Sequence, residues 1–333
     1  MIEVPMELKV KLLQSIKSNH LIASGSTVIV GISGGPDSIA LAHALIFLRP
    51  HAGFNVHLAH YNHKARALSD ADQRFVERFA KDCQVSLTVG CRPKGPIKKI
   101  SEDQARQLRF AFFARVCKKL KTKTVALGHT QDDAGETILM RLMRGAGLYG
   151  LRGILPQRTI DGIDVVRPLL SVSRHEVMAY LKAHRLTFRV DDSNHTDDYS
   201  RNKVRRKLLP LMARDYNPNI AGVLLDLAQM SSDDYDFLAA CANQRFKENV
   251  VSTKGTVKIS LPYLQQEHAA MRRLLIRQMV QKLGIDPGAL AFDHVRAVEH
   301  LIDAPVSKGP LHLPQGLRVA VKNKMIVVSL CKN

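Results

Sequence analysis

Residues 28–44, VIVGISGGPDSIALAHA, constrain the fold more than any other stretch of the chain. Small and β-branched residues run into a short polar turn, after which apolar residues recur at helical spacing. This pattern predicts a buried strand, a glycine turn and the start of a helix. Because Gly34 and Gly35 lack a Cβ atom, a phosphate can approach the backbone there, and the N-terminus of the helix favours an anion. The turn therefore predicts a nucleotide-phosphate site built from Ser33, Gly34, Gly35, Pro36, Asp37 and Ser38.

The residues around the glycine pair narrow the kind of nucleotide site. A glycine pair that opens a helix is a weak signal by itself, and a purely structural turn is the alternative. The turn has neither the GKS or GKT ending of a P-loop nor the GxGxxG pattern. Its two serine hydroxyls and the Asp37 carboxylate resemble the pyrophosphate loop (PP-loop) of the N-type ATP pyrophosphatases. That resemblance implies that ATP is bound and split into AMP and pyrophosphate.

The charge of the chain predicts a polyanionic partner. The 333 residues are enough for two domains, and they carry a formal net charge of +19 from 49 basic and 30 acidic residues. Residues 199–214 include six basic side chains and no acidic one, with Arg201, Asn202 and Arg205 among them. A solvated helix face would explain a single basic run. In a basic ATP enzyme, however, such a run favours nucleic acid.

The cysteines and the apolar runs exclude several classes of protein. Five cysteines are scattered without CxxC or Cys/His ligand spacing, which argues against structural zinc, an iron–sulfur cluster and a disulfide framework. The chain shows no signal peptide, and no run approaches the roughly 18 apolar residues of a membrane span. We therefore expect a cytoplasmic protein without membrane contact.

Polar residues follow the second predicted strand, residues 55–60. In an open parallel sheet ligands bind beyond the carboxyl ends of the strands, so we expect His60 and Asn62 to meet the nucleotide. His63 and Arg66 follow at the same edge and are candidates for contact with the substrate.

A helix is predicted to begin at Ser101, because Gln104 completes a capping-box spacing. Its apolar positions face the core and leave Arg106 and Arg109 together on another face. These arginines are either surface residues or contacts to phosphate and nucleic acid.

The fourth predicted strand, residues 124–127, leads into an acidic helix start, GHTQDDAGET. Asp132, Asp133 and Glu136 crowd one helical turn. Capping would explain one acid; three suit Mg²⁺ or the ammonium group of a lysine. His129 is a candidate proton acceptor, with a satisfied core histidine as the alternative.

The remaining pattern predicts the domain organisation. Residues 145–153 contain four glycines and are expected to form a flexible loop beside Arg144, in the path of the nucleic acid. A short strand is expected at residues 187–190. We predict a doubly wound, Rossmann-like α/β domain over residues 1–215, a connecting helix over 216–250 and a small α+β domain over 251–333, with two closing strands in a hairpin. The small domain is interpreted as a module that positions the tRNA, with a purely structural role as the alternative.

Seven motifs in one order resemble the tRNA(Ile)-lysidine synthetases, a family of PP-loop enzymes. The motifs are SGGPDS at 33–38, HYNHKAR at 60–66, EDQARQLR at 102–109, GHTQDDAGET at 128–137, RLMRGAG at 141–147, RPLL at 167–170 and DDSN…YSRNKVR at 191–205. The resemblance covers about the first 215 residues, and the domain that follows looks like the first C-terminal subdomain of the family. The chain stops at Asn333, so we expect the second C-terminal subdomain of longer members to be absent.

The resemblance implies a two-step reaction on the wobble cytidine of the tRNA(Ile) with a CAU anticodon. ATP adenylates the C2 oxygen with release of pyrophosphate, and the ε-amine of free L-lysine then displaces AMP. Asp37, Asp132, Asp133 and Glu136 would share Mg²⁺ and the lysine ammonium. Asp37, Arg109, His129 and Asp133 would act in catalysis. The substrate contacts would be His63, Arg66, Arg106, Arg144, Arg201, Asn202 and Arg205.

Two other readings compete with this one. A PP-loop tRNA thiolation enzyme would need paired or catalytic cysteines near the site, which the five cysteines do not offer. A non-catalytic RNA-binding protein on a degenerate ATPase fold would not need polar residues at every strand end. The sequence leaves the oligomeric state open, with a homodimer as one option.

Overall fold

The computed structural model describes residues 4–64, 69–92, 101–189, 200–304 and 310–331. The chain forms two compact units. The first comprises Met1–Thr137 and Ile154–Leu225, and the second comprises Ile138–Gly153 and Asp226–Asn333. This division does not use residues 215 and 250 as bounds, so the predicted domain bounds at those residues stay a prediction.

The first unit is built on a six-stranded sheet with the order β3-β2-β1-β4-β6-β5. Its strands are β1 (Thr27–Gly31), β2 (Asn55–Asn62), β3 (Leu87–Cys91), β4 (Thr124–Ala126), β5 (Gln157–Ile160) and β6 (Ile163–Val166). All neighbouring pairs are parallel except β5 and β6, which form an antiparallel hairpin at one edge. The predicted α/β fold with a mostly parallel sheet is confirmed.

Helices cover both faces of this sheet. In chain order the helices of residues 4–249 are α1 (Val4–Ser18), α2 (Pro36–Ala52), α3 (Ser69–Asp82), α4 (Glu102–Leu120), α5 (Gln131–Leu142), α6 (Leu148–Leu151), α7 (Arg174–Ala183), α8 (Ser200–Lys203), α9 (Leu209–Asp215) and α10 (Ile220–Asn249). Of these, α6, the end of α5 from Ile138 and α10 from Asp226 belong to the second unit. Val28 and Val30 pack on one face with α1, α2, α3 and α7, whereas Ile29 packs on the other with the aromatic side chains of α4. Successive residues of a strand point to opposite faces, so β1 is buried on both.

Two expectations about local structure are wrong. Residues 187–189 form no strand, because the backbone N–H of Arg189 donates to Gly34 O (2.8 Å) rather than to a sheet neighbour; Val190 lies outside the described residues. The glycine-rich segment contains the short helix α6, which Arg141 holds by donating from Nη1 to the carbonyls of Gly150 (2.6 Å) and Gly153 (3.1 Å).

The second unit has a five-stranded antiparallel sheet with the order β7-β8-β11-β10-β9. Its elements are β7 (Val250–Thr253), β8 (Thr256–Ser260), α11 (Leu261–Gln266), α12 (Ala269–Lys282), α13 (Phe292–Asp303), β9 (Leu311–Leu313), β10 (Leu317–Lys322) and β11 (Met325–Leu330). The predicted hairpin joins β10 and β11 through Asn323 and Lys324, both at positive φ, as a tight hairpin turn requires. In the described ranges, no helix has both the length and the apolar character needed to cross a bilayer.

Candidate active site

The turn after β1 is shaped by its own glycine and serines. Gly34 has a φ of +91°, a conformation that glycine adopts without strain. Ser38 Oγ donates to Gly35 O (2.9 Å) and accepts from Ser33 N (3.2 Å), and it lies 3.1 Å from Ser33 Oγ. Gly35 is the N-cap of α2 and has no side chain with which to cap it. The N-terminus of α2 is therefore a backbone site for an anion.

Gly128 brings the end of β4 against this turn. A Cβ atom on Gly128 would lie 2.9 Å from Asp37 O, closer than real Cβ contacts allow, and 3.2 Å from Ser38 N, which is tighter than most. Only glycine fits without a shift of the backbone. The residues that follow Gly128 consequently begin beside the phosphate loop, as the strand order predicts for β1 and β4.

Asp37 is the acidic group of the loop, and one of its oxygens is unsatisfied. Oδ1 is buried and has no hydrogen-bond partner among the described residues. Burial is the main cause that raises the pKa of Asp37 to about 6; Arg174 opposes the rise, and Asp133 adds to it. A bare carboxylate oxygen next to an anion site fits a bound cation such as Mg²⁺. Within the described ranges no three His, Cys, Asp or Glu side chains form a metal cluster by themselves.

Two of the three acids in α5 make capping bonds. Asp133 Oδ2 accepts from the backbone N–H (2.9 Å) and the hydroxyl (3.1 Å) of Thr130, at the start of α5. Asp132 Oδ2 accepts from Arg174 N (2.7 Å), the first residue of α7. Each carboxylate therefore also stabilises a helix N-terminus, in keeping with the helix dipole.

Arg205 joins the acids of α5 to the basic run. It donates from Nε to Glu136 Oε1 (2.5 Å) and from Nη2 to Glu136 Oε2 (3.0 Å) and to Asp133 Oδ1 (2.6 Å). Burial raises the pKa of Glu136, whose side chain is 1% exposed, and the hydrogen bonds from Arg205 oppose the rise. Arg201 Nη2 donates to Thr137 Oγ1 (3.1 Å). The predicted RNA contacts Arg201 and Arg205 thus lie against the acidic helix, with Asn202 half-buried between them in sequence.

A cavity of about 470 Å³ lies beside these acids in the first unit. Its wall combines carboxylates from α5 and α7 with cationic side chains. The charged lining residues are Lys11, Asp132, Glu136, Arg174, Glu176 and Arg205. Such a wall is suited to a small zwitterion, because opposite charges face the same space.

The two polar residues predicted to meet the nucleotide from β2 differ in their bonds. His60 Nδ1 donates to Ile32 O (2.9 Å), and its Nε2 is buried without a partner in the described part of the chain. Asn62 is 2% exposed; its amide donates to Ser69 O, Asp70 and Gln73. A nucleotide contact by Asn62 would have to replace one of these bonds.

Two histidines near the strand ends are held neutral by their surroundings. Burial lowers the pKa of His63 to about 4, and Arg109 adds to the effect. Burial also lowers the pKa of His129 to about 4, with Arg167 as the next cause. Both imidazoles are therefore neutral, but the lowered pKa makes each a weak base, so the surroundings of His129 in the ligand-free chain do not favour its predicted role as a proton acceptor.

Three other predicted substrate contacts are exposed or lie outside the described residues. Arg106 is exposed and packs over the ring of Phe110, with 5.2 Å between its guanidinium carbon and the ring centroid. Arg144 is exposed in the second unit. Arg66 and the motif residues 191–199 lie outside the described residues.

Sequence reasoning missed Arg174, the charge that most opposes the raised pKa of Asp37. A signal was present, because Ser173 and Glu176 have capping-box spacing, and both capping bonds form. A helix that begins just after a sheet strand places its first residues at the same edge as the phosphate loop.

Comparison with known proteins identifies the family. A family model described as a PP-loop domain matches residues 5–212, and one described as a TilS substrate binding domain matches residues 259–323. The chain is 36% identical over 322 residues to a tRNA(Ile)-lysidine synthase from Geobacter sulfurreducens, covering 95% of this chain and 68% of that protein. It is 30% identical over 328 residues to the enzyme of that name from Clostridioides difficile, covering 96% and 70%.

A third relative is the tRNA(Ile)-lysidine synthase from Symbiobacterium thermophilum, which is 36% identical over 314 residues. That match covers 90% of this chain and 64% of the relative, so the chain spans about two thirds of the length of these proteins. A solved structure, the U34-tRNA thiolase NcsA from Methanococcus maripaludis with its [4Fe-4S] cluster, matches with a TM-score of 0.58 and 16% identity, over 68% of this chain and 77% of that one. This likeness confirms the fold. The PP-loop domain, the substrate binding domain and the extent of the identities show that the chain belongs to the tRNA(Ile)-lysidine synthase family.

Proposed function

We propose that the chain joins free L-lysine to C2 of the wobble cytidine of the CAU-anticodon tRNA(Ile), through an adenylated cytidine, in the cytoplasm. ATP supplies the AMP group, and pyrophosphate and then AMP leave. The observation that carries the proposal is the phosphate loop with its unsatisfied Asp37 oxygen, in a chain of this family.

The loop residues bind the ATP phosphates in this proposal. Backbone groups of Ser33, Gly34, Gly35 and Pro36 surround the phosphates, Ser38 holds the loop closed, and the N-terminus of α2 supplies partial positive charge. His60 lies at the neighbouring strand end with one ring nitrogen unused. Mg²⁺ held by Asp37 would neutralise charge on the phosphates as pyrophosphate leaves. Asp132, Asp133 and Glu136 are further metal candidates, but each already accepts a hydrogen bond. Asp132 accepts from the backbone N–H of Arg174, and Asp133 and Glu136 accept from Arg205.

The charged cavity is the proposed lysine site. Asp132, Glu136 and Glu176 would attract an ammonium group, and Arg174 would attract the carboxylate. In the second step the ε-ammonium first releases a proton to water, which gives the nucleophilic amine. The ε-nitrogen then bonds to C2, the C2–O bond to AMP breaks, and the nitrogen loses a second proton. His129 is neutral and is our candidate acceptor for that proton.

The basic side chains bind the tRNA in this proposal. The charge of Arg109 acts on the imidazoles of His63 and His129. Arg109 would stabilise the negative charge of the AMP phosphate as that group is transferred to the base and later leaves it. The other proposed RNA contacts are His63, Arg66, Arg106, Arg144, Arg201, Asn202 and Arg205. For Arg205 such a contact would compete with its bonds to Glu136.

The test is incorporation of radiolabelled lysine into an unmodified CAU-anticodon tRNA(Ile) transcript with ATP and Mg²⁺. Initiator and elongator tRNA(Met), which carry the same anticodon, are the controls. We expect label in tRNA(Ile) alone. No label from a preparation that binds ATP would overturn the proposal. The hydrodynamic mass of the same preparation reports whether the chain is a homodimer.

Replacing the loop acid should stop the reaction. We expect Asp37→Ala to lower lysine incorporation at least about 100-fold, because the charge next to the phosphates is lost. The matched control is Asp234→Ala, which removes an exposed carboxylate from α10. Near-normal turnover by Asp37→Ala would refute the loop assignment.

A further inference from the structure

Arg167 is a buried cation to which the site described above assigns no role. It is 6% exposed and follows β6 directly. Its Nη1 donates to Leu155 O (2.7 Å), and its Nε is buried without a partner among the described residues. A buried guanidinium normally pairs with a carboxylate, because an unpaired charge loses its hydration without compensation. Arg167 has a backbone carbonyl in place of a carboxylate.

The strand register places Arg167 and His129 at one edge of the sheet. Ala126 of β4 pairs with Val166 of β6, and Leu127 N donates to Val166 O (2.9 Å). The two parallel strands therefore end side by side, with His129 two residues beyond Leu127. The Nδ1 atom of His129 is also buried and unpartnered in the described ranges. Two unsatisfied polar side chains thus lie at adjacent strand ends.

The surroundings of Arg167 are positive. Burial lowers the pKa of Arg167 to about 10, with a smaller contribution from the charges of Arg106 and Arg158, so Arg167 stays charged at neutral pH. Both of these arginines are exposed, whereas Arg109, which acts on His129, is half-buried. The arginines thus range from exposed to buried, and the buried one has an N–H group without a partner among the described residues. These features are typical of an anion-binding site.

Arg167 itself lies apart from the two small-molecule sites, whereas His129 begins beside the phosphate loop. The phosphate loop follows β1, and β6 is the second strand away, at roughly 10 Å by sheet spacing. The charges that act on Asp37 come from Arg174, Arg205, Asp132 and Asp133. Arg167 does not line the charged cavity. The proposed function places ATP at the phosphate loop and lysine in the charged cavity. The third substrate, the RNA, is therefore the anion that we assign to Arg167.

We propose that Arg167, with His129 and Arg109, forms a subsite at the carboxyl ends of β4 and β6 that binds a backbone phosphate of the RNA beside the modified nucleotide. The subsite rests on the proposed function for the identity of the RNA. A guanidinium binds two phosphate oxygens at once, and Nδ1 of the neutral His129 donates one further N–H, so that its Nε2 is the nitrogen that accepts the proton in the proposed second step. Exposed Arg106 and Arg158 would guide the phosphate toward it.

The first test measures binding of the unmodified tRNA(Ile) transcript without ATP or lysine. We expect Arg167→Gln to weaken binding about tenfold and to reduce the slope of log Kd against log salt by about one. Arg167→Lys keeps the charge but loses the contact with two phosphate oxygens. Its affinity for the tRNA should therefore lie between those of wild type and Arg167→Gln. ATP affinity should not change. The matched control is Arg78→Gln, an exposed arginine of α3.

The second test neutralises single phosphates near the wobble nucleotide as methylphosphonates. Wild-type protein should bind one such RNA more weakly, and Arg167→Gln should be insensitive at that linkage. If no linkage weakens wild-type binding, the proposal is overturned, whether or not the variants fold. Loss of ATP affinity with unchanged RNA affinity would also overturn it, because the anion would then be a nucleotide phosphate.

These measurements separate the subsite from the overall function. A wild-type chain that binds the RNA through this linkage but incorporates no lysine would refute the proposed function and leave the subsite. A chain that incorporates lysine while Arg167→Gln binds RNA as wild type does would refute the subsite alone.

Discussion

At the scale of single residues, Asp37 illustrates how a binding site holds a group that the fold alone does not favour. Its Oδ1 has no partner in the described part of the chain, and burial raises its pKa from the ordinary 3.8 to about 6. The folded chain thus holds the proton more tightly than the unfolded one. The ionisation of Asp37 therefore lowers the free energy of unfolding. This loss of stability is absent below pH 3.8, grows between pH 3.8 and 6, and is complete above pH 6.

We therefore expect Asp37→Asn to stabilise the ligand-free protein at pH 7.5 while it abolishes lysine incorporation. The gain should be about 2–3 kcal/mol at most, because each pKa unit corresponds to about 1.4 kcal/mol. Denaturant unfolding at pH 7.5 and at pH 5 measures it, and the gain should shrink at the lower pH. Asp234→Asn is the exposed control and should change little at either pH. A less stable Asp37→Asn protein at pH 7.5 would contradict this account.

At the scale of elements, the site depends on bonds between helices that are distant in the sequence. Asp132 of α5 caps α7, and Arg205, in the π-helical turn Val204–Leu208 after α8, holds Asp133 and Glu136 of α5. These contacts fix the helix starts at which the proposed metal and lysine groups lie. The basic segment thus has a structural role beside its proposed contact with RNA.

Removing Arg205 should cost more stability than removing a neighbouring charge. In Arg205→Met, the buried Glu136 carboxylate loses both hydrogen bonds from Arg205 and keeps the longer contact with Arg201 Nε (3.6 Å), and we expect a loss of about 3 kcal/mol. Lys203→Met, an exposed change in the same segment, should stay within about 0.5 kcal/mol. Chemical denaturation measures the free energy of unfolding of both variants and of wild type. Adding Glu136→Gln to Arg205→Met should recover part of the loss; no recovery would show that another contact of Arg205 matters more.

The elements also indicate how far the sequence alone could predict the site. The turn at 33–38 and the acidic start of α5 follow from residues that are neighbours in the chain, so local patterns predicted them. The bond of Asp132 to Arg174 spans 42 residues and that of Arg205 to Glu136 spans 69, and no periodic pattern reports such pairings. The predicted strand at 187–190 was wrong for the same reason, since Arg189 bonds the distant Gly34.

At the scale of the whole molecule, the net charge of +19 sets the conditions under which recognition can be seen. An excess of this size attracts any polyanion at low salt, because counterions are released from the RNA. The two tRNA(Met) species carry the same anticodon and a similar backbone charge as tRNA(Ile). Electrostatic attraction therefore cannot distinguish them, and discrimination must come from specific contacts or from the chemical step.

We expect tRNA affinity to fall steeply with salt, with a slope of log K against log salt of about −4 or steeper, as several phosphate contacts would give. Titrations between about 50 and 300 mM KCl measure this slope for tRNA(Ile) and for both tRNA(Met) species. At low salt the three should bind with similar affinity, whereas lysine should enter tRNA(Ile) alone at every salt concentration. ATP, a small anion, is the control and should show a much shallower slope. A tRNA slope as shallow as that of ATP would mean that the basic residues do not face the RNA, and the proposed contacts from Arg106 to Arg205 would then have to be abandoned.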